Sequence, residues 1–134
     1  MIRIIQLLSE KNHFLEKFYS LNENQIVQLH AGHFDNIEKF YNQREDLLKI
    51  LKYVDSETNK AHSFYKDATG PFDVGQKSQI KECLRIKEMY VKKILEQDLI
   101  VLGLIDEAKS KIIRELQDIK KSSRALAGYK SNDL

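Results

Sequence analysis

Apolar residues recur at steps of three and four along most of this chain, in three blocks separated by two interruptions. The first block covers residues 2–31, with a seam of Ile4, Leu7, Phe14, Phe18 and Leu21 and with Leu8, Leu15 and Leu29 beside it. The second covers 35–66, with a seam of Ile37, Phe40, Leu47, Leu51, Val54, Ala61 and Tyr65, interrupted by Arg44 and Thr58. The third covers 76–126. Its seam is Ile80, Leu84, Val91, Ile94, Val101, Ile105, Ala108, Ile112, Ile119 and Leu126, with Lys87, Asp98, Glu115 and Ser122 in the remaining positions. Alternating steps of three and four are the mark of helices packed at a shallow angle. The pattern predicts an all-α fold: an antiparallel helical bundle of three long helices in a single domain over 1–134, the last helix either continuous or broken into a fourth.

The interruptions carry their own signals. The first, "LHAGHFDNIE" at 29–38, holds two histidines and an aspartate, a combination that raises the question of a metal site. A bend explains it better. Gly32 supplies the left-handed stop after the first helix, and Asp35 with Glu38 three residues on supplies a start for the second. His30 falls in the last turn, where a cation suits the helix dipole, and His33 in the turn itself. The two share no helix face, which argues against a common metal. The second interruption, "DATGPFDVGQ" at 67–76, holds the only proline and two of the five glycines. Gly70 and Pro71 break the helix, and Asp73 with Gln76 has the spacing of a capping box. Residues 67–75 read as a hinge loop, because neither flanking block has enough core to stand alone.

Length poses a problem. At about 1.5 Å per residue the first two helices span roughly 45–48 Å and the third roughly 75 Å. Some 20 residues at its C-terminal end should overhang. They must fold back, enter solvent or pack on another chain, and Gly103 is the one intrinsic weak point for a fold-back. "LIVLGLI" at 99–105 adds to this, because its side chains cover all sides of a helix. A helix apolar all round is buried all round, by the neighbouring helices or by a partner helix docking there. Ile113 and Leu116 place a second stripe beside Ile112 and Ile119.

Composition narrows the chemistry. Nine basic and nine acidic side chains in residues 1–66, and thirteen and eleven in 67–134, alternate along the chain. That describes solvated helix faces rather than the basic stripe of a nucleic-acid binder. Lys120, Lys121 and Arg124 are a local excess that complements a helix C-terminus. No apolar run is long enough to span a bilayer, and no cleavage site follows the short apolar start, so neither membrane insertion nor a signal peptide is expected. Cys83 is the only cysteine, which excludes an internal disulfide and points to the cytoplasm. Glycine-rich phosphate loops, nucleophile elbows and paired-cysteine zinc patterns are all absent. We therefore expect no catalytic residue, cofactor or metal. Cys83 reads as a small boundary residue, and His13 and His62 are the only mid-helix candidates for a phosphotransfer bundle. Asp98, charged in an apolar seam, should pair across the bundle and set its register, with Arg44 as the partner.

Two stretches resemble a known family. "AGHFDNIEKFYNQREDLLKIL" at 31–51 is similar to the helix-turn-helix signature of small flagellar type III export chaperones, the FliT/FlgN group, with Arg44 one turn before Leu47 and Leu48. "ILEQDLIVLGLIDEAKSKIIRELQDIKKSSRALAGYK" at 94–130 resembles the FliT-type ending: an Asp-containing apolar helix, a basic segment, an Ala-Leu step and a tyrosine. His33 stands where that family often has an acidic residue. The resemblance implies a cytoplasmic, non-catalytic chaperone. Such a protein binds the amphipathic C-terminal helix of a filament-cap or hook-associated subunit and delivers it to the export gate and the export ATPase complex. With that role, the excess apolar surface and the unmatched helix length lead us to expect residues 99–119 to meet the subunit and 120–130 the apparatus. The contact residues would be Leu99, Leu102, Ile105, Ile113, Leu116 and Leu126, with Tyr129 docking at the gate. The same heptads would also serve a coiled-coil adaptor or a homodimer without an export role.

Overall fold

The computed structural model describes the backbone of residues 2–68 and 72–132, and the side chains of residues 3–63 and 72–122. Three helices follow in order: α1 (Ile2–His30), α2 (Ile37–Ala68) and α3 (Val74–Asn132). The described residues contain no strand, and α3 runs through Gly103 without a break, which settles the choice between one helix and two. A Cβ at Gly103 would meet nothing within 4 Å, so this glycine serves neither a turn nor a close approach. The chain forms two compact units, Met1–Val101 and Leu102–Leu134. The first contains α1, α2 and the opening turns of α3; the second is the rest of α3.

Local chemistry accounts for the helix ends. Gly32 has φ of +79°, a conformation open to a residue without Cβ. There the His33 N–H donates to the Gln28 carbonyl at 2.9 Å and the Gly32 N–H to the Leu29 carbonyl at 3.1 Å. These are the two bonds of a Schellman stop. Helix α2 starts one turn position later than Asp35 suggests. The Asn36 carbonyl accepts the Phe40 N–H at 2.9 Å, which makes Asn36 the N-cap, and no hydrogen bond joins Asp35 to Glu38 among the described residues. The expected box at α3 forms in full: the Gln76 N–H donates to Asp73 Oδ1 at 2.7 Å, and the Asp73 N–H to Gln76 Oε1 at 3.2 Å. Gly70 and Pro71 lie outside the described residues.

In the first unit the three helices pack as a bundle. Lys11 meets Asp55 at 2.6 Å and the Arg44 guanidinium lies over the Phe18 ring, so α2 runs against α1. Asn12 Nδ2 donates to the Cys83 carbonyl at 2.9 Å and Gln97 Nε2 to the Tyr19 carbonyl at 3.2 Å, so α3 runs with α1. Leu15, Phe18 and Ile94 form the centre of a cluster completed by Leu47, Leu48, Leu51, Tyr19, Tyr90 and Val91. Full burial of such a side chain stabilises by about 1.5–3 kcal/mol. On α2 the buried or half-buried row from Ile37 to Ala61 coincides with the seam read from sequence. The side chain of Tyr65 lies outside the described residues.

On α1 the seam residues Ile4, Leu7 and Phe18 are buried as read from sequence, but Phe14 and Leu21 are not. Leu15, Phe18, Asn22, Gln25 and Leu29 are buried, whereas Phe14 and Leu21 are only half-buried. Spacing of three and four holds along the corrected row. Polarity hid it, because two of its members are amides.

Candidate interaction surface on the third helix

Asp98 holds the polar centre of the first unit. Arg44 donates to its Oδ2 at 2.8 Å and Asn22 Nδ2 to its Oδ1 at 3.0 Å, so one carboxylate ties α1, α2 and α3 together. The expected Arg44 partner is present; Asn22, fully buried, was not anticipated. Gln25 and Gln97 are buried in the same region, and Gln25 Nε2 and Gln97 Oε1 have no hydrogen-bond partner among the described residues. A buried polar group left unpaired costs about 1–3 kcal/mol, so this layer specifies register more than it stabilises.

The apolar residues of α3 are less covered than their pattern suggests. In the first unit Ile94 and Val101 are buried while Leu95, Leu99 and Ile100 are exposed, Leu99 by 75%. "LIVLGLI" is therefore not buried all round: the face carrying Val101 is packed and the remainder is open. In the second unit Ile105 and Ala108 are buried and Leu102 is exposed. Every described residue from Lys109 to Ser122 is exposed, including Ile112, Ile113, Leu116 and Ile119 at 47–61%.

The residues expected to make contacts thus separate. Leu99, Leu102, Ile113 and Leu116 are at the surface. Ile105 is a correction: at 1% exposed it is a core residue, because it falls on the face of α3 that also buries Ala108. The side chains of Leu126 and Tyr129 lie outside the described residues. Leu95, Ile100, Ile112 and Ile119 belong with the exposed group, although sequence alone placed the last two in a packed seam.

At 100° per residue, Ile112, Leu116 and Ile119 fall within about 60° of one another, and Ile113 lies about 60° further round. Arg114, Asp118 and Lys121 take the opposite side. Residues 109–122 carry Lys109, Lys111, Arg114, Lys120 and Lys121 against Glu115 and Asp118. The result is an apolar stripe on a cationic helix.

No group of three or more His, Cys, Asp or Glu among the described residues is placed to hold a metal. Cys83 is half-buried, its Sγ 3.7 Å from Ser9 Oγ. Exposed Glu82 accepts a hydrogen bond from Arg85 Nε at 3.0 Å. That bond, with the guanidinium charge, holds the carboxyl below its ordinary value and raises that of Arg85. No described helix is long and apolar enough to cross a membrane. Compared with known proteins, the chain matches no family model, no curated protein and no solved structure.

Proposed function

We propose that this protein is a cytoplasmic flagellar type III export chaperone of the FliT/FlgN kind. It binds the amphipathic C-terminal helix of a filament-cap or hook-associated subunit and hands it to the export gate and ATPase complex. The observation that carries the reading is the open stripe of Ile112, Ile113, Leu116 and Ile119 on a helix whose described side chains are all exposed from Lys109 onward. An amphipathic helix with no cover of its own is suited to receive another, through apolar anchors at helical spacing. The resemblance of 94–130 to the FliT-type ending supports the same residues.

The proposed mechanism follows from the strengths involved. A subunit destined for assembly must be kept apart from its copies, so its adhesive helix needs a temporary partner. Four half-exposed anchors supply that without making the complex permanent, because association entropy offsets much of what their burial contributes. The cationic margins favour an acidic flank on the incoming helix. A competing contact at the gate, through the segment 120–130, then releases it.

The test is calorimetry of the full chain against C-terminal segments of filament-cap and hook-associated subunits, and against the export-gate cytoplasmic domain. Binding is expected, and truncation after Gln117 should weaken one contact or both. Unchanged binding of the truncated chain to both would overturn the proposal. A second reading, a coiled-coil adaptor or homodimer, draws on the fact that Ile105, Ile112 and Ile119 keep a strict seven-residue spacing. Sedimentation separates the two: an adaptor dimerises through 109–122 and ignores the subunit segments.

A further inference from the structure

A second feature lies wholly within the first unit and plays no part in the export reading. The opening turns of α1, the later turns of α2 and the opening turns of α3 border an open groove of about 780 Å³. Its walls are Ile4, Leu8, Phe72, Val74, Ile80 and Leu84. The volume falls in the range of small-ligand sites, roughly 300–1,000 Å³. Apolar side chains from the three helices line it, with Val74 and Leu84 open to solvent at its rim.

Among the described lining residues two lysines stand beside the uncharged Thr58, Asn59 and Ser78. Lys77 and Lys81 border the groove one turn apart on α3, and His62 borders it from α2. No carboxylate belongs to the lining among the described residues. Among the described residues the acids nearest in sequence are engaged elsewhere: Asp73 accepts the Gln76 N–H, Glu57 lies 3.4 Å from the Lys60 ammonium and Glu82 accepts from Arg85 Nε at 3.0 Å. Neither Lys77 nor Lys81 is in an ion pair among the described residues.

An apolar hollow with cations on its border is complementary to an apolar chain with one anionic end. We propose that this groove binds a free long-chain fatty acid, its acyl chain among Ile4, Leu8, Ile80 and Leu84 and its carboxylate at Lys77 and Lys81. Three helices converging around the hollow suit a slender chain end better than a second helix lying across it. Each methylene taken out of water should strengthen binding about fourfold. Two partly solvated ammonium groups together should contribute about tenfold.

Calorimetry of the full chain with laurate, kept below its micellar concentration, tests this. One laurate per chain is expected. Decanoate should bind about 16-fold more weakly, and dodecyltrimethylammonium, with the same tail and the opposite charge, at least about tenfold more weakly. The double substitution Lys77→Gln with Lys81→Gln, at exposed positions, should leave the helical circular dichroism unchanged and remove the preference for the anion. Leu84→Glu, at a position 38% exposed, should abolish uptake in a folded chain. Equal binding of the two head groups, or laurate binding indifferent to the lysines, would overturn the proposal. So would capture of anionic vesicles or an acidic amphipathic peptide without uptake of free laurate.

Discussion

Ile105 and Ile112 stand one heptad apart on the same helix, with the same side chain at the same phase of the same repeat. Ile105 is buried, whereas Ile112 is 47% exposed. The stretch 94–108 of α3 places Ile94, Gln97, Val101, Ile105 and Ala108 out of solvent; the stretch 109–122 places nothing out of solvent. The difference lies in neither propensity nor polarity. A periodic apolar stripe states which face of a helix avoids water, and burial requires a second surface to meet it. An apolar stripe that stays exposed among the described residues is a candidate for contact with another molecule.

Equal substitutions in the two regions should therefore have unequal effects. Phe18→Ala empties the centre of the packed cluster and should cost about 3–5 kcal/mol, read as a lower urea midpoint at constant m-value. Asp98→Ala removes the acceptor for both Arg44 and Asn22. Both members of the ion pair keep some solvent contact, so about 2 kcal/mol is expected, below the range for a fully buried pair. Pairing Arg44→Met with Asp98→Leu should recover most of that loss; failure to recover it would mean that the carboxylate does more than satisfy its partners. Asp73→Ala removes the N-cap of α3 and should cost about 1 kcal/mol, detected by thermal melting. Leu116→Glu with Ile119→Glu should change stability by no more than about 0.5 kcal/mol while abolishing subunit binding or self-association. A large loss of stability from that pair would place the two side chains in a core and erase the contrast between the stretches.

How much was legible can be read at particular residues. The helical class, the glycine stop at Gly32, the Asp73–Gln76 box, the α2 seam and the Arg44–Asp98 pair all follow from local spacing or from one charge in an apolar row. Asn22, Gln25 and Gln97 were missed because their polarity masks positions that helical spacing alone would assign to the core. Reading the α1 row as Leu15, Phe18, Asn22, Gln25 and Leu29 would have found the first two. Asp35 was mistaken for a cap because an Asx residue followed by Glu fits the same motif one position early. The groove at Ile4, Leu8, Ile80 and Leu84 had no local signal, since it arises from the spacing between three helices rather than from any one of them.

Of the proposed contact residues, Leu99, Leu102, Ile113 and Leu116 were found at the surface, and Ile105 was not. The amino-acid sequence by itself determined that the chain is helical, that α1 stops at Gly32 and α3 starts at the Asp73–Gln76 box, and which helix faces carry apolar side chains, because hydrogen bonding within a helix and side-chain spacing are local. Only the tertiary structure decided which of those faces are covered. Cover depends on the distance between helices far apart in the chain, and a stripe such as Ile112–Ile119 reads the same whether or not a neighbour lies against it.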